Sequence, residues 1–140
     1  MTSATTTPLD ALRVEDAMHE GVFTCERETP LVEVARTMVR ESVHCVIVES
    51  GSGERGPVWG VVSNLDLVAA ATVRGLGEQT AGGSAASPVV LVRRGESLGR
   101  AAQLMTEHGT AHLVVADPET GRPIGVLSTL DIAAALAEEA

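Results

Sequence analysis

Apolar residues return along this chain in two alternating rhythms, and the pair of rhythms occurs twice. Leu31, Val34, Ala35, Met38 and Val39 follow at i, i+3, i+4, i+7 and i+8, the stripe of an amphipathic helix. Leu98, Ala101, Ala102 and Met105 repeat that stripe, with Gly109 placed near its end. Around each stripe lie short β-prone runs. In the first half these are Val22-Phe23-Thr24-Cys25, Val43 to Val48 and Val58 to Val62. In the second they are Val89 to Val92, His112 to Ala116 and Ile124 to Leu127. Thr29-Pro30 reads as N-cap and first residue of the first striped helix. The polar stretch Glu49 to Gly56 and the turn Asp117 to Gly121 each join two strands, the first pair expected antiparallel. A short helix is expected over Leu9 to Met18, with Leu9, Leu12 and Val14 on one side. Further helices open at Ser63, turning Leu65, Val68, Ala69 and Ala71 inward before ending near Gly75, and at Asp131 to Ala137.

The two halves are copies. Gly60-Val61-Val62-Ser63-Asn64-Leu65-Asp66 recurs in the second half as Gly125-Val126-Leu127-Ser128-Thr129-Leu130-Asp131. Leu31, Ala35 and Met38 map onto Leu98, Ala102 and Met105 at a slightly wider offset, and His44 onto His112 at one wider still. The changing offset implies small insertions at a helix end and in a hairpin loop, where length is cheaply varied. Each repeat reads strand–helix–strand–strand–helix, an α/β (α+β) unit of about 50–60 residues with a meagre core of its own. The two are therefore expected to pack together with pseudo-twofold symmetry. Residues 1–8 read as a disordered tail, 9–74 as the first domain, 75–87 as a Gly-, Ala- and Ser-rich linker, and 88–140 as the second domain.

Composition narrows the function. With 44% hydrophobic residues but 1% aromatics, Val, Leu and Ala must fill the core. A net charge of −9, with every basic residue an arginine, disfavours a sequence-independent grip on nucleic acid. A phosphate ligand would be held by backbone N–H groups and a few local arginines. No apolar run approaches the roughly 20 residues of a membrane span. Met1 to Pro8 has neither the basic cluster nor the apolar core of a secretory signal. Two cysteines then suit a reducing cytoplasm.

The candidate chemistry sits in the repeated Ser-x-x-Asp turns. Ser63 with Asp66, and Ser128 with Asp131, fit a capping-box variant in which serine caps the helix and the acid reaches back. The same groups suit a nucleotide: a carboxylate accepts from both ribose hydroxyls, and a helix N-terminus offers N–H groups to phosphate. His44 and His112 each start a strand, as hydrogen-bonded edge residues or as phosphate contacts. Cys25, His44 and Cys45 are three soft metal ligands, but adjacent His44 and Cys45 point to opposite strand faces, which argues against one shared ion. Arg93-Arg94 reads as a solvated turn within reach of a phosphate.

A strand, a helix, a hairpin and a Gly-h-h-Ser-x-x-Asp helix start, all present twice, resemble a tandem pair of cystathionine-β-synthase (CBS) domains, or Bateman module. The resemblance covers residues 14 to 138 and includes Asp16-Ala17-Met18, Thr24 and Ser63-x-x-Asp66. The second repeat departs from it, lacking the usual Asp and Met over Ala81 to Ser87 and carrying Leu91 where the first has Thr24. The resemblance implies an adenosine-type ligand (AMP, ADP or ATP, with S-adenosylmethionine as another option) in a cleft between the paired domains. It assigns Asp66 and Asp131 to ribose and Ser63 and Ser128 to the phosphate side. The base would lie against strand edges near Thr24 and Val46, or near Leu91 and Val114. With the flanking Asn64 and Thr129, these residues make up the candidate site. The expectation is a stand-alone, non-catalytic regulator that needs no cofactor and signals in trans to another protein. Its Ala-rich helices (Ala69-Ala70-Ala71 and Ala133-Ala134-Ala135) would form a homodimer. The rival reading is a ligand-free interaction module.

Overall fold

The structure, a computed structural model, describes residues 8–50, 58–85 and 89–139. The expected tail, except for Pro8, and most of the first hairpin loop lie outside these residues. In chain order the elements are a 3-10 turn Pro8–Ala11, α1 Val14–Ala17, β1 His19–Glu20, β2 Thr24–Glu26, α2 Leu31–Glu41, β3 Cys45–Glu49, β4 Val58–Ser63 and α3 Asn64–Ala71. There follow a second 3-10 turn Leu76–Glu78, α4 Ala81–Ser84, β5 Leu91–Val92, α5 Leu98–His108, β6 His112–Ala116, β7 Pro123–Ser128 and α6 Thr129–Glu139. None of these helices is long and apolar enough to cross a membrane.

These elements form two units. Val22–Val89 is one; the chain up to Gly21 joins the chain from Val90 onward in the other. The continuous unit has a sheet ordered β2-β3-β4, with β2 parallel and β4 antiparallel to β3. Val46 and Val48, two apart on β3 and so on one face, pack with Leu31, Val34 and Met38 of α2 and with Val62, Leu67 and Ala70. The discontinuous unit has a sheet ordered β1-β7-β6-β5, and only its β5–β6 pairing is parallel. Leu113 and Val115 of β6 meet Leu98, Ala101 and Met105 of α5 and Leu127 there. The mixed α/β architecture expected from the patterning is present, with a small sheet and helices in each unit.

What the patterning missed is where the segments preceding each repeat belong. α1 and α4 take matching places in the two repeats, starting at Val14 and Ala81, both fully buried. Val14 N–H donates to the Glu96 carbonyl at 2.8 Å, and Ala81 N–H to the Thr29 carbonyl at 2.8 Å. Each of these short helices thus docks on the turn before the long helix of the other repeat. Residues 76–85, read as linker, are built into the continuous unit, and residues 9–21 into the discontinuous one. Gly82 permits the close approach: a Cβ there would stand 2.9 Å from the Arg27 Cβ.

Three local differences have plain causes. Thr29 does not cap α2; its Oγ1 accepts from Glu26 N–H at 3.2 Å, and Pro30 precedes the helix without a side-chain cap. α3 ends at Ala71 and turns Leu67 and Ala70 inward, leaving Leu65 72% and Val68 63% exposed, with Ala69 and Ala71 also on the surface. The cap at Ser63 fixes the helix phase, and beyond its polar first turn the helix is apolar throughout, with no stripe to reveal it. In the sheets, Cys45 pairs with Ser63 and His112 with Ser128, so Cys45 is the counterpart of His112 and the two histidines are one position out of register.

Candidate functional site

Strand-to-helix turns at the ends of β4 and β7 hold the two Ser-x-x-Asp groups. At the first, Asp66 N–H donates to Ser63 Oγ at 3.2 Å, and Asp66 Oδ2 accepts from the Ser63 N–H at 2.8 Å and from its hydroxyl at 2.9 Å. This is a capping box, so the structural reading of the spacing holds. It also orients the carboxylate: both internal bonds fall on Oδ2, and no partner among the described residues reaches Oδ1. Asp66 is half-buried at the start of an eight-residue helix, where the positive end of the helix dipole favours an anion even though the N–H groups of Asn64, Leu65 and Asp66 are spent within the turn. Asn64 tightens the turn, its N–H donating to the His44 carbonyl at 3.0 Å and its Oδ1 accepting from Leu65 N–H at 2.9 Å.

The second turn repeats the cap, with Asp131 N–H donating to Ser128 Oγ at 3.1 Å and Ser128 N–H to Asp131 Oδ2 at 2.8 Å. Thr129 N–H donates to the Ala111 carbonyl at 3.0 Å, as Asn64 does to His44. Here Oδ1 is engaged: His19 Nε2 lies 2.7 Å away, and Asp131 is only 8% exposed. His19 comes from β1, paired to β7, and sequence reasoning passed over it. It directly follows the Asp16-Ala17-Met18 marker and carries no motif of its own.

The remaining candidates divide by strand position. Thr24 pairs with Ile47 and Leu91 with Val114, both on edge strands and both exposed. Val46 and Val114 lie on inner strands, with a neighbour on each side and side chains 1% exposed. Thr24 and Leu91 thus lie on the edge strands parallel to the inner ones, and the register makes Ile47, not Val46, the counterpart of Val114. Leu91 also lines a hollow of about 810 Å³ with Arg93, Arg94, Leu104 and Asp117, a group that includes neither Ser128 nor Asp131. Cys45 is buried and Cys25 half-buried, while His44 is exposed. Among the described residues no three His, Cys, Asp or Glu side chains are placed to share a metal ion.

Comparison with known proteins agrees with this architecture. The CBS domain model matches residues 14–72 and 85–138. No curated protein matches the chain. Among solved structures, the CBS domain pair of protein MJ0100, in complex with 5′-methylthioadenosine and S-adenosyl-L-methionine, is similar with a TM-score of 0.79 at 16% identity, over 91% of this chain and 98% of that one. The CBS-domain protein ATU1752 of Agrobacterium tumefaciens is similar at 0.77 and 23% identity, over 94% and 98%. A hexameric CBS-CP12 protein from bloom-forming cyanobacteria is similar at 0.78 and 22% identity, over 87% and 69%. With both repeats matched and the same fold in these structures, the chain belongs to the CBS-domain family, as a tandem pair.

Proposed function

We propose that this protein is a cytoplasmic regulator that binds an adenosine-type ligand through its first Ser-x-x-Asp turn and passes the bound state to a protein partner. The observation that carries the reading is the Asp66 carboxylate, braced by Ser63 through Oδ2 with Oδ1 left to a ligand. A ribose diol presents two O–H donors, and one carboxylate oxygen has two lone pairs. The positive end of the α3 dipole beside it favours a phosphate or another electron-rich group on the 5′ side. The MJ0100 pair, bound to two adenosyl compounds, supports that ligand class. Thr24, exposed on the edge strand, completes the set with backbone groups for the base.

Binding is the role of this site rather than catalysis, and the ligand acts by stabilising one arrangement of the pair over others. A thermal-shift panel of AMP, ADP, ATP, S-adenosylmethionine and 5′-methylthioadenosine tests it, because a ligand selective for the folded state raises Tm. No shift with any of them at millimolar concentration would leave the ligand-free interaction module as the better reading. That second reading draws on the exposed Leu65 and Val68 of α3 and Leu130 of α6, and on the hexamer formed by the cyanobacterial relative. Our proposed homodimer surface keeps these helices, with Leu65 and Val68 beside the exposed Ala69 and Ala71 on α3, and Leu130 beside the exposed Ala133 and Ala134 on α6.

A further inference from the structure

The two turns share a sequence pattern and a cap, yet their carboxylates are not in the same state. Asp66 keeps Oδ1 without a partner among the described residues, whereas Asp131 Oδ1 faces His19 Nε2 at 2.7 Å. We propose that His19 is a built-in occupant of the second ribose position, so that the chain binds one ligand through Asp66 while the Asp131 turn is held shut. This deepens the function proposed above and rests on it.

The placement of His19 is over-determined by backbone. β1 pairs antiparallel with β7, His19 opposite Val126 and Glu20 opposite Gly125. Met18, just before it, is buried in the core, and Gly21, shortly after it, turns the chain at φ +84° with its N–H on the Ile124 carbonyl at 3.2 Å. Gly125 lets the strands close, since a Cβ there would stand 2.6 Å from the His19 carbonyl oxygen. The imidazole is delivered over the carboxylate by this frame while its own side chain stays 76% exposed. Nε2–H donates in the imidazolium and in one neutral tautomer, so the contact does not require a charged ring.

The consequence is a difference in acceptor capacity. At Asp66 both lone pairs of Oδ1 are available to a diol. At Asp131 one of them is taken, and the imidazole sits in front of an 8% exposed group. A diol ligand must displace the ring, giving up one charge-assisted hydrogen bond before it makes its own. The offset that carries Val14 to Ala81 carries His19 to Ala86, which lies outside the described residues and has no side-chain donor. Among the described residues, nothing takes the equivalent place over Asp66.

Calorimetric titration of AMP into four forms of the full chain tests the proposal: wild type, Asp66→Ala, and Asp66→Ala combined with His19→Ala or with His19→Gln. The expected results are one site per chain in the wild type, little binding in Asp66→Ala, and recovery in Asp66→Ala/His19→Ala by about ten- to a hundredfold. His19→Gln, which keeps a donor, should recover less. The gained site should vanish with 2′,3′-dideoxy-AMP, which lacks the competing hydroxyls, and on adding Asp131→Ala. A wild type that binds while the double variant gains nothing overturns the occupant and leaves the Asp66 site standing. A wild type that already binds two ligands per chain with equal affinity overturns it as well. No binding by any form overturns both proposals together.

Discussion

Asp66→Ala should weaken ligand binding by more than it destabilises the fold, and the hydrogen bonds say why. The substitution removes Oδ2 from the Ser63 N–H and hydroxyl. The bond from the backbone N–H of residue 66 to Ser63 Oγ survives, because it needs no aspartate side chain. Half of the capping box is lost, at a cost of about 0.5–1.5 kcal/mol, and a favourable charge near the helix start adds about 0.3–1 kcal/mol. Bound ligand loses its charged acceptor for two hydroxyls. Each such bond contributes about 1.5–3 kcal/mol, so even one corresponds to a ten- to hundredfold change in Kd, roughly. Titration calorimetry with the best ligand of the thermal-shift panel, beside urea denaturation of the same variant, measures both quantities. A folded Asp66→Ala variant with wild-type affinity would refute the ribose assignment. Asp131→Ala should reverse the balance: its carboxylate is 8% exposed and bonded to both Ser128 and His19, so stability falls more and wild-type binding changes little.

Ser42 ends α2 at φ 57°, where its counterpart Gly109 ends α5 at φ 61°. Ser42→Gly should therefore stabilise by about 0.5–1 kcal/mol, the left-handed strain relieved less the added chain entropy, read as a higher urea midpoint at unchanged m. Light scattering should give twice the 14.5 kDa chain mass, and Leu65→Glu with Leu130→Glu should return it to the single-chain value. Ala70→Glu is the wrong probe, since Ala70 lies in a core and the variant would unfold rather than dissociate. The Cys25 thiol is pushed above its usual range, chiefly by burial and further by Glu49 and Glu26, against a hydrogen bond with Thr29. Less thiolate is present near neutral pH, so iodoacetamide should modify Cys25 more slowly than free cysteine there, the rate rising into the alkaline range.

The stripes of α2 and α5 were legible because each helix buries one face and shows the other. α3 offered little such contrast: after Asn64 and Asp66 in its first turn, Leu67, Val68 and three alanines are apolar all round, and its cap rather than its pattern decided that Leu67 and Ala70 go inward. Matching histidine to histidine misplaced the hairpin by a single position, because strand register is set across the sheet and not by residue identity. The helix expected over Leu9 to Met18 is present as a 3-10 turn followed by α1, while α4 was missed because it spans barely one turn and shows no period. At the site, spacing alone revealed Ser63 with Asp66 and Ser128 with Asp131. His19 could not be found that way: it lies near one end of the chain and the carboxylate it meets near the other, and only the β1–β7 pairing joins them.

That pairing also sets an order of events during synthesis. His19 leaves the ribosome long before Val126, its partner across the ladder. At about 5–20 residues per second, the wait is roughly 5–20 s. The unit spanning 22–89 is continuous and can close in the meantime. Through the interval Val14 and Met18 have no core to enter, since the helix and strands that bury them have yet to be made. Residues 9–21 are thus made before the rest of their unit and placed last, and a chain stalled before β7 would hold one finished unit beside an unpaired segment with Val14 and Met18 exposed.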